Sequence, residues 1–226
     1  MLTVSGAFKT TYPGAAMGIL AMRQVANPAE QAALNREKQM LETEIRARFA
    51  DRDAIKTHPT ILVYNDYLKP FKKTYHVQLQ LESIALKGKS IPRVSALVEA
   101  MFMAELKNML LTAGHDLDAL RPPITLNVAT GAERYVLLNG QEQTCKPNDM
   151  LVADSLGVVS SIVYGPDFRT RITAESRDVL FCVYAPPGTE QVRLEQHLRA
   201  IQANVMLIAP GALTELLQIF DTGGNV

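Results

Sequence analysis

Apolar and polar positions along the chain alternate between two periods, and the change of period marks out the expected elements. Val/Ile-rich runs at Ile124–Val128, Tyr135–Leu138, Leu151–Ala153, Val158–Val163 and Val179–Tyr184 have strand character. Turns separate them. Asn139-Gly140 is a hairpin signal, and Asp154-Ser155-Leu156-Gly157 places a turn-tolerant Asp before a Gly that supplies positive φ. Helical spacing appears elsewhere. Leu34, Leu41, Ile45 and Phe49 fall on one face of a packing helix that ends near Ala50, with Asn27 as N-cap, Pro28 at the first position and Glu30 completing a capping-box spacing. From Pro92 to Thr112 apolar residues cover most of a helix circumference, and Gly114 is the expected C-terminal stop. Thr189–Val205 reads as an amphipathic helix, and Ala212–Phe220 as a short terminal one.

Three stretches are less regular. Phe8–Val25 reads as strand, turn and strand around Tyr12-Pro13-Gly14, and Asp51–Pro59 as a polar connector. His76–Ala85 leaves strand and helix both open, because Val77, Leu79 and Leu81 alternate while Ile84 breaks the register. The expected fold is α+β, a mostly antiparallel sheet with packed helices. The expected organisation is an N-terminal extension over 1–87, a core over 88–186 and C-terminal helices over 187–226.

Composition narrows the class of protein. The 226 residues are 47% apolar, enough for a sizeable core. No apolar run reaches the roughly 18 residues of a membrane span. The opening MLTVSGAFKTTYPG has no charged region leading into a hydrophobic segment, so the expected location is the cytoplasm, with no membrane partner. Cys145 and Cys182 lack CxxC spacing and the four histidines are scattered, so neither a metal nor another cofactor is expected.

Lys+Arg and Asp+Glu each number 23, which argues against holding nucleic acid, DNA in particular, by bulk charge. The distribution is less even. Between Tyr64 and Arg93, Lys69, Lys72, Lys73, Lys87, Lys89 and Arg93 outnumber Asp66 and Glu82, a local excess of four positive charges. That stretch is the candidate phosphate-facing surface. Tyr64, Tyr67, Phe71 and Tyr75 interleave with its lysines: either the rings stack bases, or they are core beneath snorkelling lysines.

The loop Tyr164–Thr173 gathers the most concentrated chemistry. Gly165-Pro166 breaks the strand pattern, and Asp167, Arg169, Thr170, Arg171 and Thr173 follow closely. Arg169, with five donors on a planar fork, is expected to tie the loop to Asp154 or Asp167.

Several pieces, in order, resemble the B3/B4 domain of the phenylalanyl-tRNA synthetase beta subunit in free-standing form, over about residues 88 to 186. They are Pro92 with Ser95-Ala96-Leu97-Val98-Glu99, Gly114-His115-Asp116-Leu117-Asp118, Ala153-Asp154-Ser155-Leu156-Gly157, and Arg169-Thr170-Arg171-Ile172-Thr173 before Val179-Leu180-Phe181. In the synthetases that domain hydrolyses tyrosine wrongly attached to the phenylalanine tRNA, a reaction that needs little beyond positioning and electrostatic help. The resemblance therefore implies tRNA as partner, with trans-editing hydrolysis as one function and non-catalytic binding of a tRNA end, amino acid or nucleotide as the other.

Carried over residue by residue, the resemblance makes His115, Asp118 and Asp167 the candidate catalytic groups. His115 is expected at the end of the Pro92–Thr112 helix, in a cleft where nearby negative charge favours its protonated ring. Glu99, Tyr164, Arg169 and Thr170 are the candidate substrate-binding residues. The departures count too. Ser95 replaces an Asn, Tyr164-Gly165-Pro166-Asp167 replaces a Gly-Gly-Glu loop, and a small residue of the tyrosine pocket is replaced near Val183 or Tyr184. With no synthetase catalytic core, the chain is not expected to aminoacylate tRNA.

Overall fold

The structure is a computed structural model that describes residues 2–28 and 31–222. Along the chain run β1 (Leu2–Val4), α1 (Gly6–Thr11), β2 (Ala16–Arg23), α2 (Ala32–Arg48), α3 (Arg52–Lys56), α4 (Pro59–Leu68), α5 (His76–Ala85) and α6 (Ala96–Asn108). There follow β3 (Thr112–Asp116), β4 (Ile124–Val128), β5 (Arg134–Val136), β6 (Glu142–Thr144), β7 (Met150–Asp154), β8 (Gly157–Ser161), β9 (Gly165–Pro166), β10 (Val179–Ala185), α7 (Gln191–Ile208) and β11 (Leu213–Asp221). No helix among the described residues is long and apolar enough to cross a membrane.

The strands form two main sheets, ordered β1-β4-β7-β8-β9 and β11-β2-β10-β3, beside the β5-β6 hairpin. Only β1 and β4 pair in parallel among the described strands. The architecture is thus α+β with a mostly antiparallel sheet content. Helix α7 lies against β2, where Gly18 permits the approach: a Cβ there would stand 3.0 Å from Leu194 Cδ1. The Asn139-Gly140 and Asp154–Gly157 turns form where expected, with φ of +81° at Gly140 and +131° at Gly157.

Five local expectations fail for identifiable reasons. Residues 6–11 form a helix instead of a strand, because the Ser5 Oγ accepts from the Phe8 N–H at 3.0 Å and caps it. Arg52–Lys56, expected as connector, is a helical turn capped by Asp51. Helix α6 stops at Met109, in the left-handed region at φ 60°, and not at Gly114. Gly114 lies inside strand β3, where a Cβ would meet Ile172 Cδ1 at 2.9 Å, so it serves close packing and not helix termination.

The fourth failure is Leu213–Asp221, a strand paired along β2 and not a terminal helix. Leu216, Leu217, Ile219 and Phe220 fit either period, and the apolar strand β2 alongside decides between them. Asn27 has also changed office. Helix α2 is capped by Gln31, whereas Asn27 Oδ1 accepts from the Leu97 N–H at 3.0 Å and so caps α6. Glu30, the expected capping-box partner, lies outside the described residues. His76–Ala85 resolves as helix.

Candidate functional site

The loop after β9 is built around a line of buried polar side chains. The Asp167 carboxylate accepts from the Thr170 backbone N–H at 3.1 Å and from its hydroxyl. Thr170 Oγ1 lies 2.7 Å from His115 Nδ1, and His115 Nε2 lies 3.2 Å from Ser160 Oγ. Ser160 Oγ in turn lies 2.7 Å from the Tyr184 hydroxyl. Because a carboxylate only accepts, one proton order satisfies the series: Tyr184 donates to Ser160, Ser160 to Nε2, Nδ1–H to Thr170, and Thr170 to Asp167.

All five side chains are enclosed, with His115, Ser160 and Thr170 at 0% exposure. Burial first, then the Arg169 charge, pushes the His115 pKa down to about 4. This corrects the expectation of a protonated ring in a cleft at a helix end. His115 sits inside strand β3, opposite Leu180 of β10, and Ser160 of β8, in the other sheet, lies against its ring. Burial likewise raises the Asp167 pKa, against the lowering effect of its Thr170 bonds.

Arg169 locks the same loop from outside. Its Nη2 donates to Asp154 Oδ1 at 2.9 Å, its Nη1 to the Ala119 carbonyl at 2.8 Å, and its Nε stands 3.7 Å from Asp167 Oδ2. The ion pair expected from the sequence is therefore present with Asp154. The other carried-over residues disperse. Glu99 is closed from solvent, paired with Lys38 and accepting from the Val94 N–H at 2.9 Å. Asp118 is exposed and has no bond to His115; it borders a groove of about 560 Å³ lined also by Ile19, Arg23, Leu120, Leu180 and Leu216.

Lysines come together at a different place. Lys69, Lys72 and Lys73 line a shallow hollow of about 510 Å³ with Lys56, Asn65 and Asp66. Lys56 escaped the sequence reading, since only the packing of α3 beside α4 brings it there. The interleaved aromatics are core and do not stack ligands from this surface: Tyr64, Tyr67, Phe71 and Tyr75 are buried, with Tyr64 and Tyr75 stacked at 4.2 Å between centroids. Lys87, Lys89 and Arg93 are exposed but do not line the hollow. Lys73 joins the hollow to the loop, its Nζ lying 5.4 Å from the centre of the Tyr164 ring.

Beneath that junction sits a carboxylate that sequence reasoning missed. Asp149 is fully buried, accepts from the Tyr67 hydroxyl at 2.8 Å and from the Val163 N–H, and burial raises its pKa to about 6. Among the described residues no group of three or more His, Cys, Asp or Glu is placed to hold a metal ion.

Comparison with known proteins gives one family. The family model of the B3/4 domain matches residues 63–216, a wider span than the motifs had marked. Among solved structures, the crystal structure of an N-terminal fragment of the phenylalanyl-tRNA synthetase beta-subunit from Pyrococcus horikoshii is similar at 12% identity and a TM-score of 0.48. That similarity covers 96% of this chain and 54% of the fragment, so the chain spans about half the fragment's length. No curated protein matches the sequence.

Proposed function

The chain belongs to the B3/4 domain family, and from that premise we propose that it is a tRNA-binding module whose contact surface is the lysine-lined hollow beside the Tyr164–Thr173 loop. The observation that carries this reading is the hollow itself. Lys56, Lys69, Lys72 and Lys73 surround it with Asp66 as the acid among its lining residues, a cation excess suited to phosphodiester groups. The B3/B4 resemblance supplies the class of RNA.

Binding is favoured over hydrolysis because His115, Thr170 and Asp167 are sealed and already satisfied by one another. Their role in this reading is to fix the loop. One observation supports hydrolysis as a second reading: Asp118 stands on a groove whose apolar lining and size suit an amino-acid side chain. In that reading Asp118 orients water at the ester, and Asp118→Asn slows deacylation by about 10²-fold.

The test combines a gel shift of tRNA at low salt with a deacylation assay on mischarged tRNAs. A complex that forms with the wild type and weakens when Lys69, Lys72 and Lys73 are together replaced by Ala supports the binding module. No shifted complex at any protein concentration contradicts it. Release of amino acid that Asp118→Asn slows by about 10²-fold supports the hydrolytic reading instead.

A further inference from the structure

Among the described Phe and Tyr side chains, Phe168 alone is exposed, at 41%. An exposed ring on a loop is costly to leave in water and useful to a flat ligand. Its position is fixed by backbone bonds: the Phe168 N–H donates to the Val136 carbonyl at 2.8 Å, and the neighbouring Asp167 bridges to Leu137. The Arg171 guanidinium lies 3.6 Å from the ring centre and donates to the Phe168 carbonyl at 2.6 Å. The pair forms a two-layer stack of ring and planar cation.

Tyr164, four residues earlier, repeats the arrangement with Lys73 over its ring. Lys73 is also part of the lysine hollow. The hollow and the loop therefore meet at Lys73 and Tyr164, and the same loop carries Phe168 and Arg171 four and seven residues further on: cations for phosphates, and two rings, each with a cation, for bases.

We infer that Phe168 and Arg171 form a base-stacking platform for the single-stranded end of the RNA whose phosphates occupy the lysine hollow. The inference rests on the RNA-binding reading above and deepens it by naming single-stranded RNA as the ligand of this loop. Bases stack on aromatic faces and on arginine planes irrespective of sequence, so the platform holds a strand end without reading it. The cations at both rings favour a polyanion over an apolar protein surface, although the exposed Val136 lies beside Phe168.

The chain contains no tryptophan, so F168W creates a fluorescent reporter without background. Its emission is followed while a short single-stranded RNA is added, with an abasic strand of the same length as control; anisotropy of end-labelled strands reports binding separately. The base-bearing strand is expected to quench F168W and the abasic strand to leave it unchanged. F168A should weaken the base-bearing strand by about 10-fold, as loss of one stacked base does, and the abasic strand little.

If anisotropy shows lysine-dependent binding while F168W emission stays constant and F168A binds as tightly as wild type, the platform is overturned and the RNA reading stands. If no strand binds, both fall. A concentration-dependent blue shift of F168W without RNA shows that the ring meets a protein surface instead, which also overturns the inference.

Discussion

Lys38 and Glu99 form an ion pair with both side chains only 7% exposed, binding α2 to the first turn of α6. The family resemblance made Glu99 a substrate-binding candidate, whereas a carboxylate on so apolar a helix calls for a structural partner, and Lys38 is that partner. Breaking one side of a buried pair leaves an uncompensated charge, so Lys38→Met should cost about 3–5 kcal/mol in urea unfolding. Replacing both residues with apolar ones, as in K38M/E99L, should recover much of the loss. A K38M variant as stable as wild type would show that the pair is open to water.

Stability should fall between pH 6.5 and 8, and Glu105 is the cause. It is fully buried, and burial raises its pKa to about 8, so the fold holds a proton that the unfolded chain releases above its ordinary 4.5. Stability from this group is complete at low pH and is lost as pH climbs toward 8. Buried His115 and His197 act in the opposite sense, their pKa values pushed down to about 4 and about 3; they cost stability only below about 6.5. In the window from 6.5 to 8 Glu105 therefore dominates, for a loss of about 2 kcal/mol. Glu105→Gln keeps an acceptor for the Thr112 N–H and should flatten the slope, as urea titrations at both pH values would show.

Arg169→Lys should lower stability by about 1 kcal/mol, because a lysine cannot reach Asp154, the Ala119 carbonyl and the neighbourhood of Asp167 with one flat fork. A thermal-shift measurement checks it. An unchanged midpoint would mean that the fork adds nothing beyond its charge.

His115→Ala should destabilise by about 1–3 kcal/mol or more, since it strips partners from the buried Ser160 and Thr170 hydroxyls and leaves a void. Any effect on RNA binding should then track stability, and intact variant protein below its melting temperature should still bind. Loss of binding by fully folded His115→Ala would contradict a purely scaffolding role.

What the chain revealed before its fold was known follows the range of the forces involved. Strands β4, β7, β8 and β10 and the glycine turns at 140 and 157 were legible because local composition specifies them. The Arg169–Asp154 pair was legible because a five-donor fork needs an acceptor and few carboxylates lie near. Strand β11 was misread because its decisive neighbour, β2, is nearly the whole chain away. His115 was misplaced for the same kind of reason: Gly114 looked like a helix stop, but it answers to Ile172 and Met101, which only the folded chain brings close. The lysine hollow was half legible, its charge excess visible in the sequence and Lys56 visible only in three dimensions.

The central claim, that the lysine hollow holds RNA phosphates, is tested most directly by the salt dependence of tRNA binding for wild type and for the variant with Lys69, Lys72 and Lys73 all replaced by Ala. Each phosphate neutralised releases about 0.7 counterion from a single strand and about 0.9 from a duplex, so the slope of log K against log salt should become shallower by about 2 to 3 in the variant. A variant whose slope and affinity equal those of the wild type would contradict the account.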